Sequence, residues 1–244
     1  MEVNSTAQEN YSRIQPYVTV SYGYGWGQMW KYILELLLIV IISLLFSIPS
    51  IGLNTEELMP FFSQVLSIDL IFIQIHGAAA LIIFSIVYLV LFEWPMEYGF
   101  AYGFLRAARN EKLQINDVFN VFQNYSAAVL ANLLTAMIIM IGLMVLIIPG
   151  IVFACKLAFV PYLVVDKKMD AVSAVKESWR MTRGHAFSVF LIGFLAIFIG
   201  LAGLITFGVG IIIAIIWIRL AMATLYYAVC IEEDKRNPQS VPAL

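Results

Sequence analysis

The chain has 244 residues, 62% of them hydrophobic and only 12% charged, with a formal net charge of -2 and a mean hydropathy of +0.90. That leaves too little polar surface to coat a water-soluble globule of this size, so lipid is the expected solvent. The fourteen Lys and Arg are spread over several short segments with acids among them and make no basic face, so nucleic acid is not an expected partner.

A hydrocarbon core about 30 Å thick takes roughly 20 apolar residues per helix, with every backbone polar group satisfied inside the segment. The expected fold class is therefore all-α: a polytopic helical membrane protein, with about six transmembrane helices in three hairpins and interfacial helices on the cytoplasmic side. Orientation is written in charge. No Lys or Arg falls in Ile51 to Leu70, Pro149 to Gly150 or Thr206 to Gly210, and cytoplasmic flanks retain basic residues where exported loops lack them. Those three segments are assigned outside and both termini inside.

In chain order, residues 1–28 read as a polar and aromatic cytoplasmic segment. Within it Ser21 to Gly27 alternates aromatics with glycines. No strand precedes it to make a phosphate cradle, whereas the rings of Tyr22, Tyr24, Trp26 and Trp30 suit the headgroup level. No short apolar core is followed by a small-residue cleavage site, so the first membrane helix is expected to serve as its own insertion signal. The membrane domain runs over 29–230, with spans at about 29–48, 71–92, 127–148, 151–165, 187–205 and 210–229, and 231–244 is a cytoplasmic tail. The loop after the first span carries Glu56, Glu57 and Asp69, and the second span contains Gly77, Ala78, Ala79 and Ala80, small enough to admit a neighbouring helix.

Trp94 and Pro95 mark the inner end of that second span. Met96 to Asn124 then reads as a cytoplasmic connector with two interfacial helices, Asn116 or Asp117 capping a helix with Val118, Phe119 and Phe122 on one face. The fourth span has fifteen residues after Pro149-Gly150 and reaches about 22 Å; it crosses only with extended ends or a thinned bilayer, and otherwise re-enters. Unwound helices at membrane depth are where transporters build sites, but Pro149-Gly150 and Pro161 are read in preference as an external turn and an inner-end kink. Asp170 to Arg183 has two-faced helical periodicity, with Asp170 as N-cap and Gly184 as C-terminal cap. It is expected along the inner leaflet with Trp179 buried and Lys176, Arg180 and Arg183 towards headgroups, although Asp166, Asp170 and Glu177 limit the attraction to anionic lipid.

A set of residues in this arrangement carries a family resemblance: Pro95 with Gly99, Leu105 and Arg109; Pro149-Gly150; Pro161 with Asp166; Ala174 with Ser178; and Met181 with Gly184-His185. Over about residues 25–230 the chain resembles a bacterial group of uncharacterised six-helix membrane proteins, similar to the membrane domain attached to some glycerophosphoryl diester phosphodiesterases. The resemblance implies the fold and a location in the bacterial inner membrane. It carries no catalytic residue, because the activity of those phosphodiesterases belongs to a separate soluble barrel.

Three ionisable residues lie inside apolar spans: Glu35, Lys156 and Arg219. An intramembrane charge is a functional-site hypothesis by default. They either build one polar site, Glu35 neutralising one cation and the other holding a phosphate, carboxylate or headgroup, or Glu35 and Lys156 snorkel apart and Arg219 is satisfied by carbonyls or Glu35. A second candidate is a cytoplasmic interaction helix presenting Lys176, Trp179, Arg180, Arg183 and His185. Glu93 and Glu97, spaced i to i+4, read as partners for nearby Arg or Lys at the inner interface. Glu232-Glu-Asp-Lys-Arg236 lacks the histidines an intramembrane protease would need, since only His76 and His185 exist and they are placed at opposite faces. Cys155 and Cys230 have no metal spacing and read as packing residues. No catalytic, metal or cofactor motif is present.

The expected function is a non-enzymatic scaffold or accessory subunit of a membrane complex; the alternative is a small transporter or lipid-handling protein. The partners expected are the bilayer, anionic lipid, and a membrane-protein partner or a second copy of the chain.

Overall fold

The computed structural model describes residues 15–51, 83–205 and 209–236, which form helices and turns with no strand among them. The expectations for Glu56, Glu57, Asp69, His76 and Gly77 to Ala80, and for the loop at 206–208, lie outside the described residues.

The chain enters as helix α1 (Val18–Lys31), turns through 95° at Tyr32 and continues as α2 (Ile33–Ile51). The stretch expected as the first span, about 29–48, is thus divided by the bend between the end of α1 and α2. The aromatic-glycine segment is corrected. Ser21 to Gly27 is helical and docked: Tyr22 is buried, its hydroxyl donates to the Ile192 carbonyl at 3.0 Å, and the Trp217 indole donates to the Tyr22 carbonyl at 3.0 Å. Only Trp26 and Trp30 keep exposed rings, packed edge to face. The bend is held from the side, because Lys31 and Tyr32 both donate to the Asn110 side-chain oxygen.

Helix α3 runs unbroken over Ile83–Ala108, 26 residues, through Pro95. Proline removes an N–H and crowds the preceding turn. The chain accommodates it by widening to a π-helix over Leu89–Glu93, and the Leu91 carbonyl, left without the amide of Pro95, accepts from the Tyr125 hydroxyl. The helix therefore does not stop at Trp94-Pro95 but continues to Ala108 and carries Glu97 with it.

A 3-10 helix, Ile115–Asn124, follows, capped at Gln114 with Asp117 reaching back from its third position. With three residues per turn instead of 3.6, Val118 and Val121 fall on the buried face while Phe119 and Phe122 stack on the exposed one. The expected common face of Val118, Phe119 and Phe122 is lost for that reason. Val118 comes so close that a Cβ on Gly99 of α3 would overlap its carbonyl oxygen.

Helices α4 (Tyr125–Val145) and α5 (Ile147–Leu157) are joined by a single extended residue, Leu146. Pro149 and Gly150 lie within the first turn of α5, where a missing N–H costs nothing. Gly150 sits where a Cβ would be 2.9 Å from the Leu143 backbone nitrogen. Helix α6 (Val160–Asp166) extends α5 to a 20-residue apolar stretch, Ile147–Asp166, or about 30 Å, longer than the fifteen residues expected. Its break ahead of Pro161 is stitched by α7 (Ala171–Met181): Ser178 and Thr182 hydroxyls donate to the Lys156 carbonyl, at 2.8 and 3.2 Å, and Ser178 accepts from the Phe159 amide. Asp170 caps α7 as expected, accepting from the Ser173 amide at 3.2 Å.

Helices α8 (Ala186–Ile205) and α9 (Val209–Arg236) complete the described chain. The middle of α9 is the hub, with Leu220, Ala221, Leu225, Tyr226 and Val229 buried where it packs against α1, α3 and α8. Among the described residues, five helices are long and apolar enough to cross a membrane, or six if the bent α1–α2 pair counts as one span. Their outer surfaces are apolar too, with Leu130, Met137, Met144, Ile197 and Leu204 exposed.

Candidate functional site

Arg219, midway along α9, makes a two-pronged ion pair with Glu97 of α3, with N–O distances of 2.6 and 3.1 Å. Both side chains are about one-third exposed. Parallel N–H to carboxylate bonds of this kind are the strong, orientation-fixing form of the arginine contact. Two serines of α2 face the same turn of α3 in antiparallel register. Ser43 donates to Glu97 at 3.5 Å and Ser47 to Glu93 at 3.0 Å, while the other Glu93 oxygen is buried without a donor among the described residues.

The pair stands between two cavities. On the α2 side, about 130 Å³ is lined by Ser43, Ser47, Phe100, Phe104 and the pair itself. On the other, about 290 Å³ is lined by Trp94, Tyr98, Ala101, Asn132, Pro161 and Tyr162 together with Glu97 and Arg219. The amide nitrogen of Asn132 is buried there with no acceptor among the described residues. This second cavity combines an anion, a cation, an unpaired amide and aromatic walls, a set that binds and orients a polar molecule.

Of the three intramembrane charges, only Arg219 reaches this place. Its partner is Glu97 rather than Glu35 or helix carbonyls. Lys156 turns the other way, donating to the Thr182 carbonyl at 3.4 Å with its ammonium 5.9 Å from the Trp179 ring centre. Glu35 is exposed and forms no ion pair among the described residues. The structure does not bring the three together. Glu97, expected with Glu93 to partner a nearby Arg or Lys, does pair with an arginine, but that arginine is Arg219, because α3 continues past Pro95 and brings Glu97 alongside α9.

A second polar cluster gathers at the end of the bundle that carries most of the basic residues. Arg109 grips Asp166 through two bonds of 2.6 Å, and the Tyr226 hydroxyl adds a third at 3.2 Å, joining α3, α6 and α9. Arg106 pairs with Glu111 and Asp117. On α7, Arg180 bridges Glu177 at 2.7 Å and Glu233 of α9 at 2.9 Å, and its bond draws the Glu177 carboxyl below the ordinary range. Arg180 is exposed and engaged by both acids. Trp179 is half-buried against Phe153, while Lys176 and Arg183 are exposed as expected. His185 lies 3.5 Å from Glu232 beside a cavity of about 430 Å³ reached from Pro16 and Tyr17. No group of acids, histidines and cysteines among the described residues is spaced to hold a metal ion.

Most of these residues fall inside a stretch that matches a family model, the domain of unknown function DUF7847, over residues 90–231. The chain belongs to that family. Glu97, Arg109, Asn132, Asp166 and Arg219 all lie within the DUF7847 region, whereas α1 and α2 precede it. No solved structure matches the chain.

Proposed function

We propose that this DUF7847 protein is a non-enzymatic, multi-pass protein of the bacterial inner membrane, with six spans in three hairpins and both termini cytoplasmic, acting as a scaffold or accessory subunit. The observation that carries it is the Arg109–Asp166–Tyr226 cluster with the Arg180 bridge to Glu233. These contacts clamp α3, α6, α7 and α9 together. Such a clasp suits a fixed framework better than a rocking pair of repeats. Lys112, Lys176 and Arg183 remain exposed without an ion pair among the described residues, and Phe119 and Phe122 stand out beside them, forming the surface such a framework offers to a partner or to the inner leaflet. The resemblance to the membrane domain of glycerophosphoryl diester phosphodiesterases fits the same role, since that domain accompanies chemistry done elsewhere.

The test is native mass spectrometry of the protein extracted gently from its own membrane. A second polypeptide at fixed stoichiometry, lost from a folded Lys176→Glu/Arg183→Glu variant, supports the scaffold; recovery of the chain alone, under cross-linking as well, removes that reading. A lipid-handling or transport role is favoured by one separate feature, the cavity beside Glu97 and Arg219.

A further inference from the structure

We infer that the cavity of about 290 Å³ beside the Glu97–Arg219 pair is a binding site for a small zwitterion, an ammonium and an anionic oxygen group carried on one molecule, as on a phosphoethanolamine headgroup or a free amino acid. The inference deepens the lipid-handling reading and is independent of the scaffold: a bound headgroup serves as cargo or as a structural lipid.

Charge decides the ligand class. The site already holds one carboxylate and one guanidinium in mutual contact, so a lone cation or anion would bring an uncompensated charge among apolar helices, at high cost. A zwitterion adds none. Its two ends also find unused capacity. Arg219 spends two N–H groups on Glu97 out of the roughly five that a guanidinium carries, and Asn132 contributes a buried amide nitrogen with no acceptor among the described residues; both are donors for an anionic oxygen. Glu97 accepts from Arg219 and, weakly, from Ser43, whereas a carboxylate offers about four lone-pair sites. An ammonium can take the remainder without breaking the pair. Trp94, Tyr98 and Tyr162 line the same space, and aromatic faces favour an organic ammonium over a hydrated metal ion. The volume corresponds to about ten waters, enough for a headgroup but not for its acyl chains, which would leave between the helices.

The experiment is native mass spectrometry of the full chain in detergent, titrated in parallel with phosphatidylethanolamine, phosphatidylglycerol, glycerophosphoethanolamine and glycine. One equivalent of phosphatidylethanolamine is expected to be retained at least tenfold more tightly than phosphatidylglycerol. Competition by glycerophosphoethanolamine or glycine would identify a soluble zwitterion as the ligand, and its absence a lipid headgroup. Asn132→Leu, which removes the unpaired amide at nearly unchanged side-chain shape while sparing the ion pair, is expected to weaken binding at least tenfold; it stands in for Arg219→Gln should that variant not fold. Equal retention of the two lipids, or zwitterion binding unchanged in Asn132→Leu, overturns the inference. So does the absence of binding by every zwitterion. None of these results depends on a protein partner, so failure here and failure of the scaffold are separate outcomes.

Discussion

Glu97 and Arg219 are 122 positions apart in the chain and meet through two bonds of 2.6 and 3.1 Å, pinning the middle of α9 to the turn of α3 that follows Pro95. Removing one partner leaves the other uncompensated among apolar helices, while removing both leaves a neutral pair. Arg219→Gln or Glu97→Gln should each lower stability by about 1–3 kcal/mol, less than a fully buried pair because both groups are partly exposed. The double variant should be less destabilised than the sum. Thermal unfolding in detergent, arranged as a double-mutant cycle, measures the coupling; strict additivity would show that the contact contributes nothing.

Pro95 and Tyr125 form a second long-range couple. Tyr125→Phe removes the hydroxyl from which the Leu91 carbonyl accepts, at a cost of about 1–3 kcal/mol. In a Pro95→Ala background the helix regains its own amide at that position, and the Tyr125→Phe penalty should shrink towards zero. Urea-induced unfolding of the four variants gives the answer, and an undiminished penalty in the alanine background would separate Tyr125 from the proline.

Close approach of backbones makes a sharper prediction. A Cβ at Gly99 has no room beside the Val118 carbonyl, and one at Gly150 meets the Leu143 backbone, whereas Gly193 faces open space. Gly99→Ala and Gly150→Ala should each cost about 1–3 kcal/mol or more through forced shifts. Gly193→Ala should be neutral or slightly stabilising, since alanine favours the helix. Comparison of their melting temperatures tests the three together.

The cap of α7 should make that helix sensitive to acid. Hydrogen bonding from Ser173 holds the Asp170 carboxyl below the usual carboxylate range. A depressed folded pKa means that the cap's contribution is fully present above the unfolded value, near 3.9, and is lost as pH falls through the folded one. Asp170→Ala should therefore melt below wild type at pH 7, and the gap should close in strong acid. A gap that persists at pH 2 would mean that Asp170 acts through something other than its charge.

Composition and apolar periodicity were enough to read the all-helical class and the stretches long enough to cross a membrane, because backbone satisfaction in an apolar setting admits little else. The Asp170 cap was equally local, a side chain bonding an amide three residues on. Helix ends were less legible where the compensating group came from elsewhere in the chain. Nothing near Pro95 shows that Tyr125 will cap Leu91, and nothing near Pro161 shows that Ser178 and Thr182 will take the Lys156 carbonyl. The docking of Tyr22 on Ile192 and Trp217 was hidden for the same reason: an aromatic ring suits a headgroup layer and a helix interface alike.

The candidate site divides along the same line. That Arg219 needs a partner follows from one charge in one apolar run, a cost incurred wherever the helix packs. Which carboxylate answers it, and that Lys156 and Glu35 stay apart from it, was decided only when α3 and α9 packed together, because ion pairing depends on proximity in space and the order of residues along the chain does not encode it.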